Sequence, residues 1–517
     1  MACRSGTLRR SSLISQKDYS MEKKGEIKGL KHHIGLGVLL AMLLMPLSLC
    51  AQADAASEYP EELGINEVVQ LSLGNHFQIA IGKIELEQAE QNTAIQKAPF
   101  ETTAEASVTE FRDSSTNPQD YPYSAKGVQQ SLTLQRQFST GTSIQLSADS
   151  TRYEDLEIPR SGEVSLQVSQ RLLKGRGLAY NLAPVRIAAR QRDITREALR
   201  QTVIDTITEA QFAYYDGLLA ESYVDVSKES LELAKQLLAE NQRRAEIGSI
   251  ASSDLLQAEA EVALRQETLY QAEVGLTQSK NRMKRILSDR VREVLDWHFS
   301  YIPLGDPEKR GVQLLKEYEV ALSLRPDYRQ AVLNLEIGEI NKLRESNAAL
   351  PSVDLYAQMS YEGWGDSLDK SFREALDQEK PDYMLGVSVS RPILNRAARA
   401  SKWQAALETN RLQLTLNQLE QAILLDLDDA AAQIDGSWKR FQSAKQGRIL
   451  AEKSLEAEQK RYQTGTSSTF ILIRLQTDLI NARMRELIAV NDYRKSLVEF
   501  DRQTGMILDL HHIEVPE

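Results

Sequence analysis

The chain is written twice, and that duplication limits its fold more tightly than any single motif. Leu71-Ser72-Leu73-Gly74-Asn75-His76-Phe77 returns as Leu322-Ser323-Leu324-Arg325-Pro326-Asp327-Tyr328. Each copy runs as a helix to a proline, Pro99 or Pro351, and alternating strand-like residues follow both. Each then reaches a strand-to-helix junction, Val168-Ser169-Gln170-Arg171-Leu172-Leu173 or Val389-Ser390-Arg391-Pro392-Ile393-Leu394. A very long helix follows, ending in Arg244-Ala245-Glu246-Ile247-Gly248-Ser249 or Arg461-Tyr462-Gln463-Thr464-Gly465-Thr466, and a return helix closes the copy. The repeat unit of about 200 residues makes two intertwined halves of one elongated body, not three separate domains.

The N-terminus reads as an export signal. Lys23-Lys24, Lys28 and Lys31 precede an apolar run from Ile34 to Leu49, and Ala51-Gln52-Ala53 supplies a cleavage site. Residues 1–53 are therefore assigned to an extension and signal, with Met21 as a second possible start. Cys50 is a candidate lipid acceptor, although Leu49 occupies the place where such signals need a small residue. The only cysteines are Cys3 and Cys50, so cleavage leaves neither a disulfide framework nor a thiol nucleophile. The leader carries eight Lys/Arg and three Asp/Glu, so its loss takes the formal charge from −11 to −16. An exported acidic chain is a poor nucleic-acid ligand. No later stretch approaches the apolar length of a membrane-spanning helix, so any crossing must be made by a β-barrel.

Six stretches alternate with period two: Thr103–Phe111, Val128–Phe138, Thr142–Arg152, Glu163–Leu172, Ser352–Tyr361 and Tyr383–Arg391. Val353, Leu355, Ala357, Met359 and Tyr361 point one way, while Asp354, Tyr356, Gln358 and Ser360 point the other. Such lengths, apolar on one face only, suit barrel strands between lipid and a wet lumen, with a soluble two-sheet sandwich as the bland alternative. The helical segments are of another size. Leu178–Ile247, interrupted only by Pro184 and the breaker Gly217, predicts a rod of roughly 100 Å, and 398–462 predicts its counterpart. Val203, Ala210, Gly217, Val224, Leu231, Leu238 and Ala245 recur every seven residues as a packing seam. A second heptad row, Phe212, Leu219, Val226 and Leu233, lies on nearly the opposite side, and small Ala213, Ala220, Ser227 and Ala234 permit close approach. Two seams imply neighbours on both flanks, as in a closed ring of helices, against the plainer reading of one broad buried face. Four to six strands cannot close a barrel, for which about eight are needed, so other copies of the chain must complete it.

In this order and spacing the sequence resembles the TolC-like outer-membrane efflux protein family over nearly all of its length after the leader. The matching features are the Leu71-Ser72-Leu73…Asn75 helix, Pro99 and Pro351 before strands, and Ser390-Arg391-Pro392-Ile393-Leu394. The hairpin tips at Gly248 and Gly465 also match, followed by Asp254-Leu255-Leu256-Gln257-Ala258-Glu259 and Leu475-Gln476-Thr477-Asp478-Leu479. The resemblance implies an α+β fold: a long helical coiled-coil barrel fused to a transmembrane β-barrel, shared between three protomers and twelve-stranded. It implies a first repeat at 54–290, an equatorial region at 291–320, a second repeat at 321–505 and a tail at 506–517. It implies an exit duct of a drug efflux pump or type I secretion system in the outer membrane, with the helical tunnel in the periplasm. The expected partners are two further copies of the chain, a periplasmic adaptor (membrane fusion protein) and an inner-membrane transporter of RND or ABC type, with outer-membrane lipid around the barrel.

The resemblance also assigns sites. Arg244, Ile247, Gly248, Ser249, Arg461, Thr464, Gly465 and Thr466 form the adaptor-docking tips, whereas the plain reading of both glycines is helix termination. Asp254, Gln257, Ile471 and Arg474 occupy the periplasmic aperture, and Arg171, Gly175 and Pro392 the barrel-to-helix junctions. Arg171 replaces the usual proline, and Ile471 and Arg474 stand where members can carry pore-narrowing aspartates. A lumen-facing Arg474 would repel cations. Four strand candidates in the first half, instead of two, are a further departure, and Thr140-Gly141-Thr142 suits an extra turn. Lys174-Gly175-Arg176-Gly177 lacks the spacing and hydroxyl of a phosphate loop and reads as a turn. His511-His512 in the tail and Asp426, Asp428 and Asp429 on split helix faces make poor metal sites. No nucleophile triad, metal triad or catalytic carboxylate pair stands out, so no enzyme and no cofactor is expected. The competing function is a periplasmic or secreted coiled-coil scaffold whose strands form a cap.

Overall fold

In this computed structural model the described residues are 60–113, 125–154, 158–248, 250–289 and 293–513. The segment expected to be an export signal, both cysteines and Ser249 lie outside the described residues. The first copy opens with β1 (Glu62–Leu63), α1 (Ile65–Asn75) and α2 (Phe77–Lys97). Four strands follow: β2 (Thr102–Asp113), β3 (Ala125–Gln137), β4 (Thr142–Tyr153) and β5 (Arg160–Arg171). The short α3 (Leu178–Asn181) leads into a rod, α4 (Ala183–Glu246), and α5 (Ser252–Leu287) returns. Between the copies lies β6 (Ser300–Tyr301), and the second copy follows with α6 (Leu314–Leu324), α7 (Pro326–Ala348), β7 (Ser352–Gly365), α8 (Leu368–Asp377) and β8 (Asp382–Ser390). It ends with the rod α9 (Arg396–Gln463), the return helix α10 (Thr469–Thr504) and α11 (Ile507–Leu510).

The rods contain 64 and 68 residues. At 1.5 Å per residue each is about 100 Å long. The first starts at Ala183 and not near Leu178, because Pro184 lacks an N–H and fits only in a first turn. Gly217 does not break the rod, which runs straight through it. Its missing side chain is instead the notch that receives Tyr301: a Cβ at Gly217 would overlap the tyrosine ring.

The rod α4 has neighbours on both flanks. Near the sheet these are α2 and α7, with α9 beyond α7; towards the tips they are α5 and α10, with α9 beyond α10. The first heptad seam is buried from Val203 to Leu231, where Val224 and Leu231 pack on Leu269 of α5. The opposite row is only half-buried, because α10 meets it with long charged side chains. Lys495 lies 5.4 Å over the Phe212 ring, and Arg502 pairs with Asp205 at 3.0 Å. Nearer the tips the contact turns apolar, with Leu237 joining Leu455, Leu472 and Leu479.

A belt around the middle ties the segment that follows α5 back onto the first copy. β1 pairs in parallel with β6, and Leu63, Val68, Tyr214, Met283, Leu287, Phe299 and Tyr301 share one core. Tyr301 meets Tyr214 edge-on at 5.6 Å and Phe299 at 5.3 Å. Contacts of this kind add about 0.5–1.5 kcal/mol each to the area buried. The Tyr214 hydroxyl donates to the Ile302 carbonyl at 2.7 Å, and burial pushes its pKa up to about 12.

All six alternating segments are strands of one antiparallel sheet, in the order β2-β3-β4-β5-β7-β8. One chain contributes six strands, two more than the four per protomer that a twelve-stranded barrel shared by three would take. The additional strands come from the turn at Gly141 (φ +89°), whose N–H donates to the Phe138 carbonyl at 3.0 Å. Strand register sorts the faces. Tyr383, Met359, Leu166, Leu146 and Leu134 stand in one cross-strand row of the apolar face. Gln358, Gln167, Gln145 and Gln135 form a row of the polar face, and Ser360, Ser165, Ser147 and Thr133 the next. Ser147 and Ser165 hydroxyls lie 2.7 Å apart, as do those of Ser143 and Ser169. α8, which alternation does not reveal, packs Ser371 and Ala375 against Gly162 and Gly363 at the sheet end far from the rods.

Two predictions follow from the belt. Gly217→Ala drives a methyl into the Tyr301 ring, and the overpacking should cost about 1–3 kcal/mol, read as a lower thermal midpoint despite the better helix former. The imidazoles of His76 and His511 have pKa values lowered from 6.5, by burial in both cases and by His512 in the second. A base whose folded pKa is depressed stabilises the fold above its unfolded pKa, and that contribution is lost as pH falls. The midpoint should therefore drop as pH is lowered through 6.5, and a H76Q/H511Q variant should show a flatter profile.

Candidate functional site: helix tips, aperture and barrel junction

Both hairpins turn through a left-handed glycine, Gly248 at φ +74° and Gly465 at φ +76°. Gly248 donates to the Ala245 carbonyl at 2.9 Å, and Gly465 to Tyr462 at 3.1 Å, which closes the last turns of α4 and α9. The second tip folds its polar side chains back on itself. Thr464 and Thr466 hydroxyls donate to the Arg461 carbonyl at 2.9 and 3.0 Å, and the Ser468 hydroxyl caps α10 by accepting from the Ile471 N–H at 3.4 Å. Arg461 pairs with the buried Glu458 at 3.2 Å, and Ser467 donates to the same carboxylate.

Arg244 acts as a clamp. Its guanidinium lies 4.3 Å over the Tyr462 ring, reaches the Tyr462 carbonyl at 3.4 Å and pairs with Glu240 at 2.5 Å. Beneath it the Tyr462 hydroxyl donates to Asn241 Oδ1 at 2.5 Å, and Asn241 Nδ2 donates to the Thr469 hydroxyl at 3.4 Å. Asn241 is fully buried, and this polar knot joins the first rod to the second hairpin. Sequence reasoning missed Asn241, Tyr462 and Thr469. The available signal was a polar residue entering an apolar seam near Leu238. Among the expected tip residues Ile247 is an apolar side chain left 78% exposed. Leu256, Phe470 and Ile471 are exposed beside it on the return helices, so the tips present an apolar surface.

Of the residues expected at an aperture, Ile471 and Arg474 are exposed along α10, as is Asp478, while Asp254 and Gln257 on α5 are half-buried. Arg474 holds no ion pair among the described residues. Further up, the buried Arg265 pairs with Glu261 at 2.5 Å and donates to the Thr477 hydroxyl at 2.7 Å, which links the two return helices.

The junction is held by asparagines that the sequence reading passed over. Gly175 (φ +80°) and Gly177 (φ +85°) form the turn between β5 and α3. The Asn181 amide donates to both their carbonyls at 2.8 and 2.9 Å, and the Gly175 N–H donates to Asn347 Oδ1 at 2.7 Å. Arg171 packs over Gly175 in the proline's place, its aliphatic stem filling the space beside the glycine. In the second copy Pro392 is exposed, and Asn395, at φ +42°, donates to the Ala349 carbonyl at 3.0 Å. Among the described residues no group of His, Cys, Asp and Glu could hold a metal ion, and no helix is long and apolar enough to cross a membrane.

The Tyr462 knot yields a test. Tyr462→Phe removes the donor from a buried amide oxygen, which should cost about 1–3 kcal/mol. Hydrogen exchange should quicken at the ends of α4 and α9 and leave the middle belt unchanged.

Residues 318–506 match a family model described as outer membrane efflux protein. The chain is 22% identical over 333 residues to the outer membrane protein TolC of Vibrio cholerae serotype O1, covering 62% of this chain and 72% of that protein. It is 22% identical over 339 residues to TolC of Escherichia coli K12, covering 62% of this chain and 66% of that protein. Among solved structures, the CmeC outer membrane channel of Campylobacter jejuni superposes with a TM-score of 0.66 at 16% identity, over 85% of each chain. The outer membrane protein VceC of Vibrio cholerae does so with a TM-score of 0.66 at 15% identity, over 85% of this chain and 96% of that one.

Proposed function

We propose that the chain, whose residues 318–506 match the outer membrane efflux proteins and which is similar to TolC, is the outer-membrane exit duct of a tripartite efflux pump or type I secretion system. The observation that carries the proposal is a six-stranded sheet joined to two rods of 64 and 68 residues, with β2 and β8 left as open edges. An open edge is not tolerated in hydrocarbon, so neighbouring copies must close the sheet. Three copies give an eighteen-stranded barrel with the apolar face to lipid and the glutamine and serine rows to the lumen. The helical layers then close below it as the periplasmic tunnel, and the chain serves as a passive channel, not an enzyme.

In this reading the tips dock on a periplasmic adaptor through the apolar set of Ile247, Leu256 and Phe470. Arg244 and the threonines hold the tip in shape. The energy comes from an inner-membrane transporter of RND or ABC type. The tips also set the aperture, where Arg474 replaces a cation-attracting residue with a repelling one.

Light scattering on detergent-solubilised protein should give a particle of three times the protomer mass, and planar bilayers should show conductance. A water-soluble monomer without conductance would return the chain to the scaffold reading. Arg474→Asp should shift the reversal potential towards cation preference without altering particle mass. Ile247→Asp should abolish crosslinking to the adaptor while leaving conductance intact.

A further inference from the structure

Two segments carry a charge opposite to that of the chain. The formal net charge is −11, yet residues 171–192 contain six Lys/Arg and no Asp/Glu, and residues 391–407 contain four and none. Both segments lie where the sheet meets the rods, at the ends of β5 and β8 and the starts of α4 and α9. Arg190 and Arg192 are already paired, with Glu336 at 2.7 Å and Asp193 at 2.7 Å. Lys174, Arg176, Arg391, Arg396, Arg399 and Lys402 are all exposed and hold no ion pair among the described residues. Apolar side chains are exposed among them, Ile393 at 99% and Trp403 at 69%.

The cations on the first copy stand on a fixed frame. Asn181 and Asn347 pin the Gly175-Arg176-Gly177 turn, the Gly177 N–H donates to the Thr140 carbonyl at 3.0 Å, and that of Arg176 to Leu173 at 3.2 Å. With its amides engaged internally, the turn is no phosphate nest, and only the Lys174 and Arg176 side chains reach outward. The apolar face of the sheet ends just above, at the row of Val389, Val353 and Leu172. Cations mixed with exposed aromatic and aliphatic groups, at the edge of an apolar band, match the headgroup layer of a bilayer.

We propose that this collar binds anionic phospholipid headgroups in the leaflet nearest the rods, with the basic side chains on the phosphates, Ile393 on the acyl side and Trp403 in the headgroup layer. The attraction would hold the barrel at a fixed depth despite the acidic character of the whole chain. The inference rests on the barrel spanning the outer membrane.

The test uses the purified full chain reconstituted in phosphatidylcholine vesicles with or without phosphatidylglycerol. Phosphatidylglycerol should raise the thermal midpoint by several degrees, high salt should remove the rise, and inorganic phosphate should not reproduce it. A K174Q/R176Q/R396Q/R399Q variant should lose the rise while keeping the oligomer mass; if that variant misfolds, Lys174→Gln alone with the wild-type salt series decides. An equal midpoint in both vesicles, a rise unchanged by the substitutions, or a rise reproduced by inorganic phosphate would overturn the collar and leave the duct standing. Failure to insert into either vesicle would sink the duct and the collar together.

Discussion

A strand edge facing hydrocarbon has no water to satisfy its amides, at a cost of several kcal/mol for each unpaired group. Six strands pair among themselves and leave β2 and β8 open, so this sheet is incomplete as an isolated chain. The face pattern points the same way, since a single curved sheet would wet its glutamine row while leaving Tyr383, at 86% exposure, bare on the other side. Closure by further copies answers both demands. The rods follow from it, because helices continuing from a closed ring of strands must themselves stand in a ring, and α4 with neighbours on both flanks is built for that.

Much of this was legible because the two periods are hard to confuse. Period two located all six strands, including the extra hairpin, and period seven located the buried seam from Val203 to Leu231. What the periods do not encode is which residue supplies a notch. Gly217 reads as a breaker by propensity, yet tertiary packing overrides that preference once Tyr301 arrives from a distant strand. Asn181, Asn347 and Asn395 were invisible for a related reason. Their work is to satisfy carbonyls and amides of turns far away in sequence, and no local pattern announces such partners. α8 was missed because it is short, and because the glycines that seat it sit on strands that otherwise alternate normally.

The tips show how a helical hairpin separates its structural and its presented residues. Arg244 stacks on Tyr462 and the Thr464 hydroxyl bonds the Arg461 carbonyl, while apolar Ile247, Leu256 and Phe470 are left exposed. Exposed apolar groups on a scaffold pinned by buried hydrogen bonds lose little entropy when covered, which suits a surface meant for a partner.

The extra hairpin bears on calibre. Six strands at about 4.8 Å spacing, tilted by about 40°, occupy about 38 Å of circumference. Beneath them the helical layer is α2, α4, α7 and α9 side by side, and four helices at about 9–10 Å occupy about 36–40 Å. The arc of sheet and the arc of helix contributed by one chain are therefore of equal width, whereas four strands would cover only two thirds of it. In a ring of copies closed as proposed, the wall would pass from strand to helix without a step in radius, and the short turns at Gly175 and Pro392 would need only to redirect the chain. A duct assembled in that way would keep one bore from the rods to the outer mouth.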